Sequence, residues 1–209
     1  MEEEGTTALG RNKARTKQRF LDAVEEILIT KGFAGLKVND IAKVAGLDKK
    51  LIYKYFGGTD QLMDEYIQTK DFWSNVKGEK VPNAIADGGK AFVEEMLLLQ
   101  FDQVAGDEAL QKLLLWRLTE QRNSLQKLVE AQEANGEILL KSITDPHFQD
   151  RSTQFRAIAA LLIGGTYYLD LYAAINGSVF CGIDLATESG RTEIKKALSF
   201  LVDTTYENL

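Results

Sequence analysis

The stretch VNDIAKVAGLDKKLIYKYF, residues 38–56, constrains this chain more than any other segment. Apolar residues recur at helical spacing on both sides of one glycine, which predicts two short helices, over 38–45 and 49–56, joined by a tight turn. Helix axes that cross steeply need a small residue where they approach, and Ala42 stands there. The turn needs a positive φ angle, which Gly46 supplies without a Cβ clash. Ile41, Ala45, Leu47, Ile52 and Tyr55 have the spacing to fill the wedge between the helices. Asp48 precedes the second helix and can accept a hydrogen bond from its free N–H groups.

Lys49, Lys50, Tyr53 and Lys54 are left on the outside of that second helix, and i, i+3 and i+4 spacing puts them on one face. A cationic face with a phenol at its centre suits a DNA major groove, where lysine donates to guanine edges or to phosphates. The formal net charge of −6 argues against such a partner until its distribution is read. Residues 10–60 hold 11 Lys/Arg against 6 Asp/Glu, whereas residues 61–209 hold 14 against 22. A basic front and an acidic body imply one part that approaches phosphate and one that does not. Within the front, RNKARTKQR (residues 11–19) is cationic at five of nine positions. It reads either as a solvated leader or as a flexible arm that brings Arg11, Lys13 and Arg15 to phosphates or the minor groove.

The rest of the chain keeps the 3.6-residue apolar period, and no alternating strand stands out. Helices are expected over 13–31, with Phe20, Val24, Ile27 and Leu28 on one face, and from a Thr59 cap through Leu62, Met63, Tyr66 and Ile67. Gly78 and Pro82 mark a joint. Further helices are expected near 83–104, 107–117, 119–141, 151–176 and 191–207, with breaks at Gly106-Asp107, at Asp145-Pro146 and between Gly177 and Gly190. That makes an all-α chain of about nine helices. The expected division is a leader over 1–12, a helix-turn-helix domain over 13–58 and a helical body over 59–209.

Several function classes drop out. A single cysteine, Cys181, leaves no intramolecular disulfide and no cysteine-built metal site, and fits a reducing cytoplasm. The lone histidine, His147, excludes a three-histidine metal centre within one chain. A Cys181–His147 nucleophilic pair is conceivable on composition, but a lone cysteine of buried type is more often inert. Glu94-Glu95 and Asp107-Glu108 are adjacent on helices and point apart, while Gly88-Gly89 lacks the lysine and serine of a phosphate loop. The expectation is a protein that is not an enzyme and needs neither metal nor cofactor. The acidic MEEEGTTALG start lacks an apolar core, so no signal peptide is expected. The thirteen uncharged residues 157–169 fall short of a membrane span of roughly 18 and read as a buried helix.

With these residues in view, 15–66 resembles the DNA-binding domain of the tetracycline-repressor (TetR) family. GFAGLKVNDIAKVAGLDKKLIYKYF and the following Leu62 carry the likeness. The resemblance implies that Asp48, Lys49 and Lys50 meet bases or phosphates, that Tyr53 and Tyr55 lie against the DNA backbone, and that Lys37 and Asn39 form a further contact region. Two positions depart from the family habit. Leu51 stands where a small polar residue is usual, and Thr59 where a lysine is favoured, although a hydroxyl with free N–H groups can still hold a phosphate. The family likeness also implies a C-terminal ligand-binding and dimerisation domain. The homodimer would join through 151–176 and 191–207, with Ala157, Leu161, Gly164, Gly165, Tyr168 and Leu171 facing Ile194, Leu198, Leu201 and Val202. Middle helices rich in aromatics, Phe72 and Trp73 among them, would enclose a small-molecule effector. Phe92, Met96, Phe101, Trp116 and Tyr167 would form walls, with Arg117, Gln121 and Asp170 as polar anchors.

Two readings follow. One is a cytoplasmic, sequence-specific transcriptional regulator, a repressor released from a pseudo-palindromic operator by a ligand. The other is an all-helical binding or adaptor protein with weak or no DNA affinity.

Overall fold

The computed structural model describes residues 3–70 and 86–209, with side chains from residue 11 onward. Phe72, Trp73, Gly78 and Pro82 lie outside the described residues. Among the described residues the architecture is helical, as the apolar period predicts, apart from one short hairpin, and the chain divides into two compact units.

The first unit comprises Met1–Asp71 and Lys112–Leu128. It holds α1 (Glu3–Lys31), α2 (Val38–Ala45), α3 (Lys50–Phe56) and α4 (Thr59–Thr69). Parts of α6 (Glu108–Thr119) and α7 (Asn123–Leu139) join them. Phe20, Val24, Ile27, Leu28, Ile41, Ile52, Leu62 and Ile67 are withdrawn from solvent in one cluster, which Leu113, Trp116, Leu125 and Leu128 complete. Among the described residues the helix count is close to the nine expected, but several boundaries move. Helix α1 starts at Glu3 rather than near residue 13, so the described part of the expected leader and the arm are helical. Gly58, not Thr59, stands at the N-cap of α4, and no side-chain cap bond forms there. The first unit also takes in α4 and 112–128, which the expected division at 58 placed in the body.

The second unit comprises Phe72–Gln111 and Val129–Leu209. Helix α5 (Lys90–Gly106) packs against both α9 (Ser152–Ile175) and α10 (Glu188–Asn208). Each start has a polar stop. Asp87 accepts from the Gly89 and Ala91 amides at the head of α5, and Thr187 accepts from Gly190 N (3.0 Å) at the head of α10. Asp145-Pro146 is no break. Pro146 occupies the first turn of the single-turn helix α8 (Asp145–Phe148), where a missing N–H costs nothing, and the chain turns instead at Gln149, with φ 49°. Between α9 and α10 a small antiparallel hairpin pairs β1 (Val179–Phe180) with β2 (Ile183–Asp184), too short for alternation to show in the sequence.

A polar seam crosses the interior of this unit. Gln100 Nε2 donates to Thr166 Oγ1 (2.7 Å), and Arg191 Nη1 donates to Asp170 Oδ1 (2.9 Å) while its Nη2 reaches the Phe101 carbonyl (2.7 Å). Asp102 lies beside it and pairs with Lys195 (2.6 Å). Burial pushes the Asp170 carboxyl up to about 6, against the opposing pull of Arg191. The folded chain therefore holds this proton more tightly than the unfolded chain, in which aspartate titrates near ~3.9. Stability from this group is fully present below about pH 4 and is lost as pH rises through about 6. Unfolding free energies of the wild type and Asp170→Asn should differ by an amount that falls across that window and then levels off. A difference independent of pH would contradict the assignment.

Candidate nucleic-acid interface

The turn between α2 and α3 is built around Gly46, which adopts φ 62° and ψ 37°. The Gly46 amide reaches the Ala42 and Lys43 carbonyls, and Leu47 N donates to Ala42 O (3.1 Å), closing the helix end in the left-handed manner. From α1, Arg19 Nη2 donates to Ala45 O (2.6 Å) and approaches Gly46 O (3.5 Å). On the far side of the turn, Asp48 Oδ1 accepts from Lys50 N (2.8 Å), the cap expected of it.

Beneath the turn, Ile41 and Ile52 are fully buried and Ala45 nearly so, while Leu47 is half-buried against the same cluster. Their burial orients α3, leaving Lys49, Lys50, Tyr53 and Lys54 exposed, with Tyr53 at 55% of its free surface. Lys37 and Asn39 are exposed at the start of α2, and Lys49 Nζ donates to Asn39 Oδ1 (3.1 Å), so two expected contact regions meet in space. Tyr55 is half-buried, with Lys13 Nζ 5.9 Å and Lys54 Nζ 5.5 Å from its ring centre. Leu51 is half-buried against the core rather than presented to solvent, which accounts for an apolar residue where a polar one is usual. Thr59 is half-buried in the first turn of α4.

Arg11, Lys13 and Arg15 are exposed, but on helix α1 and not on a flexible arm. Lys17, from the same run, pairs with Glu65 (2.6 Å) and lies over the Phe56 ring (4.8 Å). Nothing in the alternating pattern of the run distinguishes Lys17 and Arg19, yet both are tied to the domain itself. Only the adjacency of Arg19 to the first core residue, Phe20, hinted at this.

The expected effector residues do not gather in one unit. Phe92, Met96, Phe101, Tyr167 and Asp170 belong to the second unit, but Trp116, Arg117 and Gln121 belong to the first. Trp116 is a core residue there. It stacks on Phe33 (5.9 Å between ring centres), donates to Glu120 (2.6 Å), and has the Arg122 guanidinium over its face (5.8 Å). Phe92 and Phe101 are buried, Met96 and Tyr167 half-buried, and Asp170 is held by Arg191, a partner the sequence reading did not name.

On α9, Ala157, Leu161, Gly164, Gly165 and Tyr168 share one exposed face, Leu161 at 76%. Leu201 is exposed and Ile194 half-buried on α10, where exposed Phe200 was overlooked. Leu171, Leu198 and Val202 are corrections: each is already buried inside its own chain and has almost no surface left to give a partner. Cys181 is exposed on the hairpin, contrary to the buried type expected, and among the described residues no hydrogen bond joins it to His147. The described residues hold no cluster of metal-ligating side chains.

A helix-turn-helix with a cationic outer face, carried by an all-helical chain, defines a DNA-binding regulator. Residues 20–66 match the family model for bacterial regulatory proteins of the tetR family, so this segment is similar to that family's DNA-binding domain. FadR from Bacillus subtilis, solved with stearoyl-CoA, shares 18% identity at a TM-score of 0.63, over 87% of this chain and 97% of its own. GusR of Salmonella enterica shares 17% at 0.54, over 90% and 96%. The multidrug-binding protein EbrR, complexed with proflavin, shares 22% at 0.52, over 89% and 99%. No curated protein sequence matches the chain.

The turn admits a direct check. A side chain at Gly46 would take on left-handed strain of about 1–2 kcal/mol and set a Cβ 3.1 Å from Arg19 Nη2. Denaturant unfolding of Gly46→Ala should show the first unit destabilised by that order. Unchanged stability would contradict the turn geometry.

Proposed function

We propose that this ligand-responsive transcriptional regulator acts as a homodimeric repressor, binding a pseudo-palindromic operator and leaving it when a small molecule binds the helical body. One observation carries the DNA-binding reading: Lys49, Lys50, Tyr53 and Lys54 stand together in solvent on a helix whose opposite side is locked by Ile41 and Ile52. Lysines here donate to guanine edges or phosphates, while Lys37, Asn39, Asp48, Tyr55 and Thr59, with Arg11, Lys13 and Arg15 on α1, flank the face as positioning contacts. Leu51 is half-buried against the core, and its remaining surface can touch a thymine methyl.

Two copies are required because one module offers few base contacts, whereas a dimer reads half-sites about 34–36 Å apart on one face of the duplex. The exposed apolar stripe of α9 supports the second copy as its cover. By length and composition the run Asn123–Ile175 contains a window apolar enough to cross a membrane. That run is interrupted by Leu140–Thr144 and Gln149–Arg151, and α9 buries Thr166 and Asp170 on its inner side. A partner helix suits such a face better than lipid.

Release is a population shift: the ligand favours a conformation whose recognition helices are spaced wrongly for the operator. A coupling of about 1–3 kcal/mol changes affinity roughly 5–150-fold. Two structural neighbours hold small molecules, stearoyl-CoA and proflavin, which supports an effector without identifying it. We assign the chain no catalytic step and place its action in the cytoplasm, where operator DNA is.

The test uses a duplex enriched from random-sequence DNA by the wild-type protein. Anisotropy titrations at several salt concentrations should show Lys54→Ala binding it more weakly, with the logarithmic salt slope shallower by about 0.9. Failure of the wild type to enrich any duplex at low salt would favour the adaptor reading instead. Sedimentation equilibrium should show a dimer that Leu161→Glu reduces to monomer, and a monomeric wild type would overturn the dimer.

A further inference from the structure

The five cations of residues 11–19 have different fates, and that of Arg19 is distinctive. We propose that Arg19 is a positioning residue for operator recognition: its guanidinium fixes the direction in which α3 leaves the turn, and so governs sequence discrimination without itself touching DNA. The inference rests on the DNA-binding reading above.

Three observations carry it. First, the bond is short and charge-assisted, with Arg19 Nη2 2.6 Å from Ala45 O and 3.5 Å from Gly46 O. Those carbonyls end α2, where intrahelical partners run out and the helix dipole leaves partial negative charge, so a cation there satisfies both. Second, the anchor is stiff. The next residue, Phe20, has no exposed surface and meets Phe56 edge-on (6.0 Å between ring centres), so the Arg19 backbone is tied to the same core that holds α3. Third, the fit is close: a Cβ on Gly46 would lie 3.1 Å from Arg19 Nη2, so the guanidinium packs onto the turn at the point where glycine leaves room. Two residues beyond, Asp48 starts the capping turn of α3. If the Ala45 and Gly46 carbonyls lose their donor, the hinge between the capped end of α2 and the capped start of α3 loosens. Lys49, Lys50, Tyr53 and Lys54 keep their charges and exposure but lose a fixed register against base edges.

A phosphate contact by the same exposed guanidinium is the competing role, and salt dependence separates the two. Wild type, Arg19→Ala and Arg19→Lys are titrated, as full chains, against the enriched duplex and a random-sequence duplex of equal length over a salt series. Positioning predicts that Arg19→Ala loses roughly three- to tenfold on the enriched duplex. Its affinity for random DNA and its salt slope should stay unchanged, and Arg19→Lys, still a cationic donor, should recover most of the loss. Equal weakening on both duplexes with a slope shallower by about 0.9 would make Arg19 a phosphate contact and overturn the proposal, as would indifference on both. Amide exchange supplies a reading independent of DNA. Exchange at Gly46, Leu47 and Lys50 should quicken in Arg19→Ala, and unchanged exchange overturns the inference even if that variant binds DNA poorly. A wild type that enriches no duplex sinks the DNA-binding reading, whereas a wild type that binds and an Arg19→Ala that binds equally well sink only this inference.

Discussion

Everything proposed for this chain depends on the apolar wedge under the turn at Gly46. Ile41 and Ile52 lose all their solvent exposure there, against Phe20 of α1. Burying side chains of this size is worth about 1.5–3 kcal/mol each, several times what a surface ion pair supplies. That difference decides the division of labour on α3. The inward residues determine where the helix lies, and the outward lysines are free of structural duty apart from the light contacts of Lys49 with Asn39 and of Lys54 with the Tyr55 ring. A face that is not needed for folding can be given to a ligand.

The second unit threads a polar seam through an apolar core and leaves an apolar stripe on its surface. Gln100, Thr166, Asp170 and Arg191 run through the packing of α5, α9 and α10, while Leu161, Tyr168 and Phe200 face solvent. Buried polar groups cost free energy unless they are bonded, which restricts the helices to arrangements that satisfy them. An apolar stripe of this size is costly in water and is relieved by association. The two features together describe a body with a bonded polar seam inside and exposed apolar side chains on α9 and α10.

Much of this was legible in the sequence, and the exceptions have definite causes. The 38–45 helix, the turn at Gly46 and the Asp48 cap followed from local sterics, which act within a few residues. The start of α1 at Glu3 was hidden because EEGTTALG, residues 3–10, is acidic, carries two glycines and has no apolar face to read. Trp116 was assigned to the effector pocket because composition cannot say which of two cores an aromatic ring will serve; its stacking partner, Phe33, is distant in sequence. Leu171 and Leu198 were placed at the dimer face by periodicity, but a stripe on a long helix drifts, and their turns point inward. Arg191 was missed for the same reason as Trp116, since its partners Asp170 and Asp102 come from other helices.

The central claim is that α3 lies in the major groove of each of two half-sites. Methylation protection on an enriched duplex reads it most directly, because guanine N7 lies in the major groove and adenine N3 in the minor. The account predicts two clusters of protected guanine N7 atoms, centred about 10–10.5 base pairs apart on one face of the DNA. Protection confined to adenine N3, or binding that leaves every guanine N7 reactive, would contradict it.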